Sequence, residues 1–371
     1  MKPSVKVPFV NLGLQYQNIR TEILAKFDDI SSRGAYILNE DVTAFEENFA
    51  AYCGVKYAVS VGNGSDALVL CLHALGVGPG DEVITAPNSF IASAWVIARV
   101  GAKPVFADVR ADYNIDPAKV REAVTPRTKA ILPVHLTGRP AAMDELTEIA
   151  QKFSLFVLED AAQAIGAKYY GRQAGSLGDA GCFSLHPLKN LHVHGDGGMI
   201  TTNNQELFNK LVLLRNHGLK NRDECVLWGF NSRLDGIQAA IANIKMKYLG
   251  EWTRRFRAIA ERYTQALRGL LNVPSDLPHE ESVYHRYVVR SDRRDALQAH
   301  LAEQGVETKV NYPIPIHLQE VCHGLGYQRG DFPIAEQLAG EILSLPIYAE
   351  MDDGQVDWVI EAVKNFHSGG A

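Results

Sequence analysis

Residues 57–108 read YAVSVGNGSDALVLCLHALGVGPGDEVITAPNSFIASAWVIARVGAKPVFAD. Three short apolar runs, Tyr57 to Val61, Glu82 to Ala86 and Pro104 to Asp108, alternate with two stretches, Ser65 to Leu75 and Ile91 to Val100, that are long enough for helices. Gly76 and Gly101 stand where those helices should end. Strands joined through helices of this length lie parallel, so the segment predicts an α/β fold with a mainly parallel sheet buried on both faces.

Outward from this segment the alternation runs from Thr43 to Leu249. Ala130 to His135 and Leu155 to Glu159 read as further strands, and Pro117 to Val124 and Ala142 to Phe153 as helices. After Gly181 two strands come close together, Cys182 to His186 and Met199 to Thr202, joined by PLKNLHVHGDGG. A polar, glycine-bearing loop inside a buried sheet marks a functional place. Helices are expected at Gln205 to Asn216, Leu234 to Leu249 and Trp252 to Leu270, the last bridging to a second domain. There Arg286 to Arg290, Asp292 to Gln304 and Val306 to Val310 read as strand, helix, strand, with a final helix from Gln355 to Asn365. The expected division is a large domain over 1–250, including an N-terminal arm, and a smaller α/β domain over 251–371.

A chain of 371 residues, 46% of them hydrophobic, can bury a large core. A net charge of -6 provides no basic footprint for nucleic acid or an anionic membrane surface, so the partner expected is a small molecule. The N-terminal MKPSVKVPFVNLGLQYQ has no apolar export core, and no stretch of about 18 apolar residues follows, so the protein is expected in the cytoplasm. Cys53, Cys71, Cys182, Cys225 and Cys322 are odd in number and lack CxxC spacing, which argues for plain thiols over a disulfide framework or zinc site.

Three features carry chemistry. SVGNGSDALVLCLHAL sets glycines and Ser65 where a strand meets a helix, and the free N–H groups and dipole there suit an anion such as a phosphate. A capped helix with no ligand would look the same, and neither GxGxxG nor a P-loop is present. Asp160 ends the strand LFVLED, at the sheet edge where ligands of α/β proteins bind; an N-cap is the other use for it. Lys189, in FSLHPLKNLHVHGDGG, sits where a lysine can be held inside a cleft, desolvated and nucleophilic toward aldehydes, although most lysines are surface charges. His186, His192 and His194 crowd the same loop, yet no cysteine or carboxylate cluster completes a tetrahedral set, so no metal is expected. His186 is placed near the ligand, and His192 and His194 at the mouth or in solvent.

Together, GNGSDAL, PNSFIAS, PVHLTGRPAAMDEL, LEDAAQAIGA, FSLHPLKN with GDGGMITT, LRNHG, GFNSRLDGIQAA and YPIPIHL make a chain that resembles the DegT/DnrJ/EryC1/StrS family of sugar aminotransferases over nearly its whole length. The resemblance implies the type I, aspartate-aminotransferase-like fold, pyridoxal 5′-phosphate (PLP) as cofactor, and a homodimer with shared active sites. It places Lys189 as the Schiff-base lysine, Asp160 against the pyridine nitrogen, and Phe90 as the ring that stacks on the cofactor. Gly64, Ser65 and Ser184 match phosphate contacts, Gln163 a residue near the ring oxygen, and Asn231 a phosphate ligand from the neighbouring subunit. By residue type, Asn231 suits a helix cap equally well. Lys220, Arg222, Tyr312 and His317 are candidates for acceptor contacts. The family often has GEGG where this chain has GDGG, with Asp196.

The implied reaction moves an amino group from L-glutamate or L-glutamine to a keto sugar, usually nucleotide-linked. A PLP-dependent sugar dehydratase of the same family carries histidine at the Schiff-base position, against which Lys189 argues. A non-catalytic PLP- or sugar-binding module would need no reactive lysine.

Overall fold

The computed structural model describes residues 5–368; the outermost residues of the two expected domains, 1–4 and 369–371, lie outside it. In chain order come α1 (Leu12–Arg33), α2 (Glu40–Cys53), β1 (Tyr57–Val61), α3 (Gly64–Ala74), β2 (Glu82–Thr85), α4 (Ala92–Arg99), β3 (Lys103–Phe106), α5 (Pro117–Ala123), β4 (Thr128–Leu132), α6 (Met143–Phe153) and β5 (Phe156–Asp160). Two short strands, β6 (Lys168–Tyr169) and β7 (Arg172–Gln173), lead to β8 (Ala180–Ser184), β9 (Gly198–Thr202), α7 (Gln205–Leu214) and α8 (Gly236–Leu267). The C-terminal part holds β10 (Glu280–Glu281), β11 (Tyr287–Arg290), α9 (Arg294–Glu303), α10 (Pro333–Glu341), β12 (Ile342–Leu345) and α11 (Asp353–Ser368).

Seven strands form one sheet in the order β1-β9-β8-β5-β4-β2-β3. Neighbours from β3 to β8 run parallel, while β9 is antiparallel to both β8 and β1. The reversal at β9 follows from the short β8–β9 connection, which leaves no room for a crossover helix. Strand interiors are buried almost throughout, as a sheet covered on both faces requires. Over β8, Phe49 of α2 meets Phe183 edge to face at 4.9 Å, a pairing worth about 0.5–1.5 kcal/mol beyond area burial. It fixes the strand one residue before Ser184.

Two expectations are corrected. The helices expected at Leu234 to Leu249 and Trp252 to Leu270 are one continuous helix of 32 residues, α8. Its first half packs Ala239, Ala242 and Leu249 beneath β8 and β9, and its second half joins Ile259, Ala260, Tyr263 and Leu267 to the C-terminal core. Burial at both ends outweighs the roughly 1 kcal/mol that Gly250 costs a helix interior. The expected division at residue 250 therefore falls inside a helix, and Val7 of the N-terminal arm packs into the C-terminal core. Second, Val306 to Val310 makes only isolated bridges, Val306 to Val7 and Lys309 to Ser344. The partner of β11 is β12, antiparallel, with Val288 opposite Ser344. Among the described residues no helix is long and apolar enough to cross a membrane.

Candidate active site

The carboxyl ends of β5 and β8, the N-terminus of α3 and the start of β11 enclose a cavity of about 410 Å³. At one end Asn63 caps α3 by accepting from the Asp66 amide at 2.8 Å, and the first-turn N–H groups of Gly64 and Ser65 have no intrahelical partner. Gly64 is required by close approach: a Cβ there would lie 2.8 Å from Cβ of Ser184 and 3.0 Å from its Cα. The glycine brings the helix end and Ser184 together on one wall.

Asp160, 6% exposed, sits deeper. Its carboxylate accepts from the Ser93 hydroxyl at 3.1 Å and the Ala162 amide at 3.2 Å. Burial nonetheless drives its carboxyl above the usual range, against the pull of the Ala162 amide and the nearby charge of Lys189. A cation placed against it would restore the anion. Behind it, buried Glu159 accepts from the amides of Gly175, Leu177 and Gly178, each at 2.7 Å, and pairs with His135 at 2.9 Å. Since His135 Nδ1 accepts from the Ala141 amide at 3.0 Å, its proton lies on Nε2 and is donated to Glu159. This buttress joins the ends of β4 and β5 beneath Asp160.

Lys189 enters from the β8–β9 loop. Burial lowers its amine to about 8; Asp160 opposes that shift and Arg286 adds to it. The loop is pinned on its far side: the Lys189 amide donates to the His186 carbonyl at 2.8 Å, and His192 Nδ1 donates to the Lys189 carbonyl at 2.9 Å. Burial pushes His192 down to about 3, so it stays neutral and its tautomer is set by that bond.

Gly64, Ser65, Phe90, Asp160, Gln163, Ser184, His186, Lys189 and Tyr312 all line the one cavity, as does Asp196. Gln163 is held by the Thr137 amide, which donates to its Oε1 at 2.9 Å. Gly138 follows with φ +94 and no room for a side chain, the nearest backbone atom being 2.9 Å from a built Cβ. Phe90 and Tyr312 face each other across the mouth with ring centroids 5.8 Å apart.

Other expected residues lie elsewhere. His192 is buried behind the loop and does not reach the mouth, because its ring is used to hold the Lys189 carbonyl. His194 borders a separate surface groove beside Tyr16. His317 is buried 3.1 Å from Glu336 and edge-on to Phe332, a packing strut outside the cavity. Lys220 and Arg222 are exposed on a loop where Lys220 pairs with Glu224 at 3.6 Å. Asn231 is exposed and outside the cavity, next to Ser232, whose hydroxyl donates to Asp66 of α3 at 2.6 Å. The N-cap position of α8 belongs to Asp235, so Asn231 does not cap that helix.

Sequence reasoning passed over Arg286, which shares the cavity with Lys189 and Tyr312. The signal was present: in VYHRYVVR an arginine directly precedes the apolar run of the strand.

The profile of the DegT/DnrJ/EryC1/StrS aminotransferase family matches residues 17–364. The chain belongs to this family. Among its relatives, a Geobacillus stearothermophilus protein named as a pleiotropic regulatory protein is 46% identical over 98% of this chain and 99% of its own length. A dTDP-3-amino-3,4,6-trideoxy-alpha-D-glucose transaminase from Streptomyces venezuelae is 42% identical over 97% of this chain and 96% of its own. The crystal structure of NtdA from Bacillus subtilis, with bound cofactor PMP, superposes with a TM-score of 0.93 at 31% identity, covering 99% of this chain and 87% of that one. This DegT/DnrJ/EryC1/StrS member thus has the type I, aspartate-aminotransferase-like fold expected from its sequence.

Proposed function

We propose that this protein is a PLP-dependent aminotransferase that moves an amino group from L-glutamate or L-glutamine to a keto sugar carried on a nucleotide, in amino sugar biosynthesis. The observation that carries the proposal is the convergence, in one cavity, of a helix N-terminus, a buried carboxylate and a lysine whose amine is lowered to about 8. These three match the three polar ends of PLP: phosphate, ring nitrogen and aldehyde.

When bound, PLP supplies an electron sink that makes the amino acid's Cα–H bond labile. Gly64, Ser65 and Ser184 would receive its phosphate, Asp160 would hold its ring nitrogen protonated, and Phe90 would cover one face. Lys189 would hold its aldehyde carbon and is the base that would take the proton from the donor Cα; an amine near 8 can both accept and release a proton at neutral pH. His192 and Gln163 act by position, fixing the Lys189 peptide and the opposite wall. A dehydratase built on histidine at this position has no counterpart to Lys189, and a binding module has no use for its lowered pKa.

The protein acts as a homodimer in the cytoplasm. Its five cysteines are all free, as a reducing compartment maintains them. In this reading Asn231, exposed and outside its own cavity, serves the phosphate site of a partner.

The test is spectroscopic. The yellow holoprotein should bleach to the pyridoxamine form with L-glutamate or L-glutamine and recover when a nucleotide-linked keto sugar is added. A spectrum that no amino donor changes excludes transamination.

A further inference from the structure

Three arginines stand near the wall formed by Thr137 and β11, and they differ in one respect. Arg139 pairs with Glu280 at 2.7 Å and Arg290 with Glu341 at 2.9 Å. Among the described residues Arg286 has no carboxylate within ion-pair distance; its guanidinium has only the His285 carbonyl at 3.3 Å and the face of Phe9 at 4.9 Å. Its backbone is fixed, the amide donating to the Thr137 carbonyl at 3.2 Å. Flanking His285 and Tyr287 are buried, so the backbone that carries the arginine is anchored in the core.

Arg286 is half-buried on the cavity wall, and a partly desolvated cation there, with no carboxylate of the described residues against it, is stabilised by an anion that pairs with it. Burial draws the guanidinium down to about 10, with Tyr312 the group that opposes the shift, so it remains a cation at neutral pH. Its charge reaches Lys189, whose proton affinity it lowers. The one buried carboxylate of the cavity, Asp160, already accepts from Ser93 and Ala162 on another wall. What this arginine lacks is an anion, and the geometry asks for one beside Lys189.

We infer that Arg286 receives a carboxylate of the amino donor. This rests on the aminotransferase reading and names the residue that would recognise the donor. The planar fork of a guanidinium matches a carboxylate through two parallel hydrogen bonds, and the carboxylate on the carbon that bears the exchanging nitrogen is the anion nearest to Lys189 during the reaction. The keto acid that leaves carries the same group, so one contact serves both donor and product. Neither the helix N-terminus of α3 nor Ser184, which lie at the other end of the cavity, is needed for this role.

The experiment uses the PLP-loaded enzyme with glutarate, a dicarboxylate that cannot react, and reads binding by calorimetry. R286Q should weaken glutarate binding by about ten- to a hundredfold, the range for a lost charge-assisted pair. R286K keeps the charge and the stem that packs on Phe9 but loses the fork, and should fold, hold PLP and still bind glutarate about tenfold more weakly than the parent. If Arg286 only supported the fold, R286K would restore everything. In the half-reaction, equal rises in the saturating concentrations of L-glutamate and L-glutamine assign the α-carboxylate; a rise for glutamate alone assigns the γ-carboxylate. The acceptor KM should stay within about twofold. Glutarate affinity unchanged in both variants, or an effect confined to the acceptor KM, overturns the inference. A parent enzyme that binds glutarate through Arg286 yet transaminates nothing would defeat the proposed function and leave this contact standing.

Discussion

Lys189 is a weaker base than a solvated lysine because the β8–β9 loop buries its amine, and two neighbours of opposite sign then tune it. Asp160 raises the proton affinity and Arg286 lowers it. Only the free amine attacks an aldehyde, and its fraction rises with pH through the pKa. The rate at which cofactor-free protein captures PLP should therefore climb from pH 6.5 to about 9 with a midpoint near 8, followed by stopped-flow absorbance. Removing the negative charge with Asp160→Asn should move that midpoint downward; an upward move would contradict the pairing. The same variant should slow the donor half-reaction by about a hundredfold or more, the scale for losing one preorganised electrostatic contact, while near-normal single-turnover rates would make Asp160 structural. The position of both residues in one cavity was legible in the sequence because each is tied to a segment boundary, Asp160 to the end of LFVLED and Lys189 to a loop within a buried sheet. His192 and His317 were not, since nothing in a loop's sequence says whether a histidine faces a cleft or bonds its own backbone.

At the scale of elements, α8 carries the clearest difference between pattern and fold. Gly250 falls between the two helices expected from the pattern, yet it is exposed in the middle of one, with no atom nearer than 3.8 Å to a built Cβ. Gly250→Ala should stabilise the protein by about 0.5–1 kcal/mol in urea titrations, from lost backbone freedom in the unfolded chain. A destabilised variant would mean that the helix breaks there. Glu159→Gln should act in the opposite sense. The carboxylate accepts three amides and the His135 proton, and a carboxamide would turn an N–H toward donors, costing about 3–5 kcal/mol by the same measurement. The elements of the large sheet were legible to within a few residues because apolar period and turn residues agree there; β1 spans Tyr57 to Val61 as read. The helices α1 and α2 and the strand β12 were not. In α1 the exposed Leu12, Leu14, Leu24 and Phe27 blur the amphipathic stripe, and β12 follows α10 with no turn residue between them.

The exposed side chains of α1 belong to a pattern of the whole molecule. Leu24, Phe27, Tyr36 and Ile37 are 41%, 53%, 47% and 49% exposed, and the first three, with Tyr16 and Ile237, border a surface groove of about 820 Å³. A contiguous apolar face of this kind calls for a partner surface, and His194, at the end of the lysine loop, lies in the same groove. A second copy covering this face would sit close to the loop that carries Lys189, as the proposed role of Asn231 across an interface requires. The proposed division of labour has Lys189 and Asn231 working in different chains. In a two-fold dimer, a Lys189→Ala protomer joined to an Asn231→Ala protomer places both lesions in one site and leaves the other intact. Mixing the two impaired variants should restore activity. With random re-pairing about half the dimers are mixed, each with one intact site, so roughly a quarter of parental activity is expected. The measurement needs Asn231→Ala to be strongly impaired by itself and subunit exchange to be followed by native mass spectrometry of differently tagged chains. If chains exchange and activity stays at the sum of the two variants, Asn231 serves its own subunit or none, while the assignments of Lys189 and Asp160, which lie within one cavity of one chain, are untouched.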